Sequence, residues 1–245
     1  EQAFLRPSLL SGALQSTVHN LHRKNPSGRL FEIGKRFSKN SEETALSLML
    51  YGNFEDNWKR RSPVTFYDLK GAVESILSYL KIDGIEWRDV SSDTYAQGVE
   101  GSWHGHKIVS FGSLSPALLG VWDIPTEVFY AEMALDALFS AEPAARRVKP
   151  LPKYPSARRD LAFSAEEKIL VRDLEKTIRR AAGPSLQEVV LFDEYKGKGI
   201  APGKRSLAFS LSYQKETGTF TEEEIQAAQS RVTEALKAEY AVEFR

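Results

Sequence analysis

The sequence predicts an α+β protein in two domains, residues 1–143 and 144–245, the second a four-stranded antiparallel sheet carrying two helices on one face. Three observations carry that expectation. From Arg159 onward, patterns of period 2 and period 3.6 follow one another as strand, helix, strand, strand, helix, strand, the order of a ferredoxin-like split βαβ domain. Ahead of them runs KPLPKYPSARRDLAF, from Lys149 to Phe163. This proline-spaced connector and its approach hold Arg146, Arg147, Lys149, Lys153, Arg158 and Arg159, with no acid between Glu142 and Asp160, so it reads as extended chain whose charges are open to a polyanion. Net charge divides at the same place: 14 Lys/Arg against 18 Asp/Glu up to residue 143 give −4, and 19 against 15 beyond it give +4.

With 245 residues, each domain can bury a core of its own. No apolar run approaches the roughly 20 residues of a membrane helix, and no charged-then-apolar leader opens the chain, so a cytoplasmic protein with no membrane contact is expected. The absence of cysteine removes disulfides, thiolate catalysis and cysteine-ligated zinc. The chain enters a helical pattern almost at once after Glu1, as expected of a piece of a longer protein.

In the first domain, Leu9, Leu10, Ala13, Leu14, Val18 and Leu21 form a helical stripe broken only by Gly12. RLFEIGKRF then reads as a strand with Leu30 and Glu32 on one face and Phe31 and Ile33 on the other. ALSLMLYG, apolar on both faces, reads as a strand inside a covered sheet. NFEDNWKRRSP reads as loop. Phe66, Leu69, Val73, Ile76, Leu77 and Leu80 sit at helical spacing. Short strands are expected around Val99, from Lys107 to Phe111 and from Glu127 to Met133. A short helix starts at Ser115-Pro116, and a last helical turn covers Ala134 to Phe139.

In the second domain, RDLAFSA is a strand with Leu161 and Phe163 facing one way and Asp160, Ala162 and Ser164 the other. Val171, Leu174, Ile178 and Ala182 line a helix stopped by Gly183 and Pro184. LQEVVLFDEYKG is the next strand, with Asp193 and Tyr195 on one face and Val190 and Phe192 on the other. RSLAFSLSYQ follows, alternating Leu207, Phe209, Leu211 and Tyr213 with Ser206, Ala208, Ser210 and Ser212. Thr221 and Glu224 form a capping box for a helix lined by Ile225, Ala228, Val232 and Leu236, and AVEFR closes the sheet. Both helices cover one face, leaving open a small, polar set: Ala162, Ser164, Ser206, Ala208, Ser210, Ala241 and Glu243.

An open face of short side chains can receive splayed nucleotides, with Tyr195 as a stacking platform and Asp193 as an acceptor for a guanine edge. The competing reading makes Tyr195 an ordinary packing residue and docks the face on the first domain. His104 with His106, and His19 with His22, lack the further ligands of a metal site. GKGIAPGKRS has the wrong spacing for a phosphate loop, with Arg205 where Ser or Thr would bind magnesium.

KPLPKYPSARRDLAF, FDEYKGKGIAPGKRSLAFSLSYQ and the TEEEI helix together resemble the anticodon-binding domain that ends the β chain of bacterial-type phenylalanine–tRNA ligases. LRPSLLSGALQSTVHNL, LFEIGKRF, the strand ending LYG, VTFYDLKG and FGSLSP follow, in order, the class II synthetase-like module of the same β chains. The resemblance implies a non-catalytic, antiparallel-sheet module that supports an α chain, joined to a ferredoxin-like βαββαβ domain that binds the anticodon of phenylalanine tRNA. It implies an (αβ)₂ heterotetramer that uses ATP and magnesium, with exposed apolar surface on residues 1–140. LFEIG has Glu32 but no arginine ahead of it in the place that the class II motif requires, and YAEMALDALF lacks the glycines and arginine of an ATP-binding strand and helix, so no catalytic residue, metal or cofactor is expected on this chain itself. By matched position the resemblance assigns anticodon contacts to Ala162, Asp193, Tyr195 and Ser206. Arg158, Arg159, Lys196, Lys198, Lys204 and Arg205 are candidate phosphate contacts. The rival to this whole reading is a protein-interaction scaffold with no RNA-reading role.

Overall fold

The computed structural model describes residues 5–39, 41–140 and 153–244, and the backbone divides into two compact units, Glu1–Arg146 and Arg147–Arg245. Arg146, Arg147 and Lys149 of the basic connector lie outside the described residues. No helix among the described residues is long and apolar enough to cross a membrane.

The first unit runs α1 (Leu10–His22), β1 (Gly28–Phe37), β2 (Glu42–Tyr51), β3 (Asn53–Asp56), β4 (Arg61–Pro63), α2 (Phe66–Tyr79), β5 (Glu86–Val90), β6 (Tyr95–Trp103), β7 (His106–Leu114), α3 (Pro116–Val121), β8 (Val128–Ala134) and α4 (Leu135–Ser140). Six strands form one antiparallel sheet in the order β1-β2-β8-β7-β6-β5. The doubly apolar ALSLMLY stretch is β2, and both of its faces are covered. Leu46 and Leu50 join Leu69, Val73 and Leu77 of α2, while Met49 and Tyr51 join Ala13 and Leu14 of α1. Ser115 caps α3 by accepting from the Leu118 amide at 3.3 Å. NFEDNWKRRSP, expected as loop, is instead the β3–β4 hairpin. Asn57 Oδ1 turns it by accepting from the amides of Lys59 and Arg60 at 3.0 and 2.9 Å. β5 was not expected as a strand. It is an edge strand, and its Trp87 packs edge-on against Phe111. Phe31, Ile33, Trp58, Tyr67 and Tyr79 remain exposed, the apolar surface expected on this half of the chain.

The second unit runs β9 (Ala157–Glu166), α5 (Val171–Ala182), β10 (Leu186–Tyr195), β11 (Lys204–Tyr213), α6 (Glu222–Tyr240) and β12 (Glu243–Phe244). The sheet order is β10-β11-β9-β12, with antiparallel pairing throughout. Leu161, Phe163, Leu207, Phe209 and Leu211 point to one side, where they are buried with Leu174 and Ile178 of α5 and Val232 and Leu236 of α6. Both helices therefore cover that side alone. Gly183 ends α5 at φ 82°, a conformation that a side chain would strain. Among the described residues of AVEFR, Glu243 and Phe244 join the sheet. Ala241, expected on the open face, is the left-handed C-cap of α6.

Thr221 Oγ1 accepts from the Glu224 amide at 3.3 Å, and Glu224 Oε2 accepts from the Thr221 amide at 2.9 Å. This reciprocal cap satisfies two amides at the start of α6 that have no partner within the helix. Thr221→Ala is expected to cost about 1 kcal/mol, read as a lower urea midpoint with an unchanged m-value.

Candidate nucleic-acid interface

The open face is built by strict alternation on β9 and β11. Register places Ser206 opposite Ser164, Ala208 opposite Ala162, Ser210 opposite Asp160 and Ser212 opposite Arg158. On the other flank of β11, Tyr195 lies opposite Ser206 and Asp193 opposite Ala208. The four positions assigned from resemblance thus fall in two neighbouring rows, Tyr195–Ser206–Ser164 and Asp193–Ala208–Ala162. Beyond Asp193 the second row is two alanines, so the floor on β11 and β9 beside that carboxylate carries only methyl groups. The span from Asp193 to Ala162 is two strand spacings, about 10 Å.

Tyr195 is 45% exposed, and the hairpin beside it sets its ring. Its hydroxyl donates to the Lys198 carbonyl at 3.4 Å. Gly197 lies so close that a Cβ there would come within 2.8 Å of that hydroxyl. Ser164 is buried, and Lys204 on β11 reaches to Glu243 on β12, the residue opposite Ser164, at 2.5 Å. That contact holds the Glu243 carboxyl below its usual range.

The six basic candidates separate by position. Arg158 and Lys204 lie on the open face, and Lys196 and Lys198 lie in the hairpin between β10 and β11. Lys196 is shared between Glu167 at 3.3 Å and Glu194 at 3.7 Å. Arg159 and Arg205 are set on the helix side by the same alternation that puts Arg158 and Ser206 in the open. There Arg159 pairs with Glu222 at 2.5 Å, and Arg205 with Glu194 at 3.1 Å and the Ile169 carbonyl at 2.6 Å. The alternation thus sets these two apart from the four candidates on the open face and in the hairpin.

A second correction concerns β10. The register slips between Leu191, opposite Phe209, and Asp193, opposite Ala208, so Phe192 is an extra residue at a β-bulge. Before the slip it is Val190 that lies opposite Ser210. Val190 therefore shares the face of Asp193 and Tyr195, not the opposite one. The run VVLF concealed this, because four apolar residues in succession satisfy either phase of the alternation. The need for Val189 and Leu191 to reach the core while Asp193 and Tyr195 stay out was the available signal.

In the first unit, a cavity of about 560 Å³ is lined by Arg36, Arg88, Tyr95, Glu100, Lys107 and Glu132, among others. Its cations are engaged by the chain itself. Arg88 meets Glu100 at 2.8 Å, Lys107 bonds the same carboxylate, and Arg36 meets Glu132 at 2.8 Å. The Lys107 and Arg88 bonds hold Glu100 below the usual carboxylate range. Among the described residues, no group of three or more His, Asp or Glu is placed to hold a metal ion.

Comparison with known proteins gives two family matches. Residues 1–135 match the phenylalanyl tRNA synthetase beta chain CLM domain, and residues 152–245 match the ferredoxin-fold anticodon binding domain. The phenylalanine–tRNA ligase beta subunit of Synechococcus sp. (strain JA-3-3Ab) is 35% identical over 263 residues, covering 100% of this chain and 32% of the relative. That of Bacillus subtilis (strain 168) is 34% identical over 256 residues, with the same two coverages. Among solved structures, pyrrolysyl-tRNA synthetase from Desulfitobacterium hafniense has a TM-score of 0.44 at 20% identity, over 55% of this chain and 48% of its own. The chain spans about a third of the length of the curated relatives it matches. With more than half of its residues inside one family match and most of the remainder inside the other, the chain belongs to the phenylalanyl tRNA synthetase beta chain family.

Proposed function

We propose that this chain is a non-catalytic portion of a phenylalanine–tRNA ligase β chain that reads the tRNA anticodon on the open face of its second unit. A base stacks on Tyr195, and Asp193 accepts from the Watson–Crick edge of a guanine. The Ser206 hydroxyl bonds a third polar group, and the methyl floor of Ala162 and Ala208 lets the nucleotide approach closely. The observation that carries this reading is the grouping of those residues in two adjacent rows on the sheet face opposite the helices. Arg158, Lys198 and, after exchanging their acid partners, Lys196 and Lys204 strengthen binding through phosphates without reading sequence.

The first unit supports a partner α chain, which supplies the ATP- and magnesium-dependent joining of phenylalanine to tRNA in a cytoplasmic (αβ)₂ assembly. Family membership supports that assignment. So do the exposed Phe31, Ile33, Tyr67 and Tyr79, apolar surface of the kind a partner covers, and a cavity whose cations are neutralised by the chain's own carboxylates.

Titrating the chain with phenylalanine tRNA, and with the same tRNA altered at its first anticodon base, tests the reading. Binding should be salt-sensitive and should weaken with the base change. Tyr195→Ala should cost about 1–3 kcal/mol of binding with an unchanged melting curve. Binding indifferent to the base, or to Tyr195, would leave the exposed apolar surface of the first unit as the main interaction feature and favour a protein-interaction scaffold.

A further inference from the structure

We infer that the bulged segment of β10, with Arg158, forms a second nucleotide subsite beside the one at Tyr195 and Asp193. The inference rests on the reading of this face as an RNA surface and extends it to a further base.

Three observations meet at this place. The bulge turns Val190 into the open face, 41% exposed, in the row that continues through Ser210 and Asp160. That row is two residues along β11 from the row of Asp193, about 7 Å away. Phe192, the extra residue, is 53% exposed, whereas Phe163 and Phe209 are fully buried and Phe220 and Phe244 pack against the core. Among the described residues of the second unit it is the exposed phenylalanine, and it lies three residues from Tyr195 on the same edge strand. Arg158, finally, donates from Nε to Ser210 Oγ at 2.5 Å. This pins the guanidinium in the row of Val190, and no acid pairs with it among the described residues.

An aromatic ring, an aliphatic neighbour and a fixed guanidinium are what an unpaired nucleotide requires: a surface for the base and a planar donor for its phosphate. Bulges commonly re-aim side chains beside binding sites. Here the bulge does so twice, turning Val190 over and freeing Phe192 from the ladder. The single-stranded nucleotide next to the one on Tyr195 fits this subsite because the two rows adjoin and the connecting backbone would pass Arg158.

The test uses the full 245-residue chain and an RNA hairpin with the phenylalanine anticodon loop, unmodified or with one abasic position at a time. Phe192→Ala is expected to weaken binding to the unmodified hairpin about 5- to 150-fold. An abasic site at one loop position other than the first anticodon base should weaken wild type but leave the Phe192→Ala variant unchanged, the signature of a direct pair. Phe192→Leu, which keeps apolar volume without a ring, should behave as Phe192→Ala does and serves as the readout if the alanine variant melts early. If Phe192 variants bind as wild type while Tyr195→Ala weakens binding, the second subsite is overturned and the first stands. If neither variant nor any abasic site changes binding, both fall. Equal weakening on every hairpin, abasic ones included, would make Phe192 a support of the fold and also overturn the proposal.

Discussion

Phe209→Ala should lower the stability of the second unit by about 3–5 kcal/mol, as large an effect as any side chain in this sheet is expected to give. Phe209 is completely buried, stacks on Phe163 with ring centroids 5.6 Å apart and planes 11° from parallel, and sits between Leu207 and Leu211, which are equally buried. Alanine would leave a void that these neighbours cannot close without abandoning their own rotamers. For a domain of this size the loss corresponds to a fall in melting temperature on the order of 15 °C or more. All four tryptophans, at positions 58, 87, 103 and 122, belong to the first unit, so tryptophan emission reports there and far-UV circular dichroism reports on both units. The variant should show an early circular-dichroism transition that tryptophan emission does not follow. The RNA binding proposed for the open face should be lost with that transition, although Phe209 never reaches that face, because Ala208 and Ser210 stand on the other side of the same strand. An unchanged transition would contradict the core described here.

The contrast between Phe209 and Phe192 shows what the sequence could and could not convey. Elements whose burial is one-sided were legible from periodicity alone. β9 and β11 alternate without exception over the open-face positions, and α6 announces itself by Thr221 and Glu224 before its stripe begins. The four resemblance-assigned positions fell on one face because three of those positions, Ala162, Asp193 and Tyr195, follow from alternation within a strand, and Ser206 follows in the same way from Leu207 and Phe209. What alternation cannot reveal is a change of phase inside an unbroken apolar run. Val189 to Phe192 satisfies both phases, so the bulge and the true side of Val190 appear only when the pairing with β11 is fixed. Charge alone does not fix a side either. Arg158 and Arg159 are equivalent as entries in a composition, but adjacent strand residues face opposite ways, and only one of them meets the open surface. β5 and the β3–β4 hairpin escaped notice because they are short and largely exposed, so solvent and not a core selected their side chains.

Glu132→Ala should destabilise the first unit by about 3 kcal/mol, because one buried carboxylate ties its own strand to the start of a helix and to the edge strand of the sheet. Glu132 is 6% exposed on β8. It accepts from Ser8 Oγ at 2.7 Å, from the Leu9 amide at 2.9 Å, from the Tyr130 hydroxyl at 2.5 Å and from Arg36 Nη1 at 2.8 Å. Removing it strands an amide and a buried hydroxyl, and leaves Arg36 with Glu43 as its remaining acid partner at 2.6 Å. Loss of one member of a buried ion pair typically costs about 3–5 kcal/mol. The lower end applies here because Arg36 keeps 27% of its side chain in solvent and a second carboxylate. Burial alone would raise the Glu132 pKa, but the donors from Tyr130, Ser8, Arg36 and Leu9 outweigh it and hold the group below the ordinary value. Since the folded-state pKa is the depressed one, the stabilisation is complete above the unfolded carboxylate pKa of about 4.3 and is lost as pH falls through the folded-state value. The wild-type transition followed by tryptophan emission should therefore shift downward steeply below about pH 4, and the Glu132→Ala transition, already lower at neutral pH, should shift less over the same interval. Parallel acid profiles would mean that other carboxylates dominate the acid response. An unchanged neutral-pH midpoint would mean that Glu132 does not hold this unit together. Glu132→Gln separates charge from hydrogen bonding: it keeps an acceptor for the Leu9 amide and Ser8 while removing the charge that Arg36 and the pH response depend on, so its neutral-pH loss should fall between wild type and alanine and its acid profile should match alanine's.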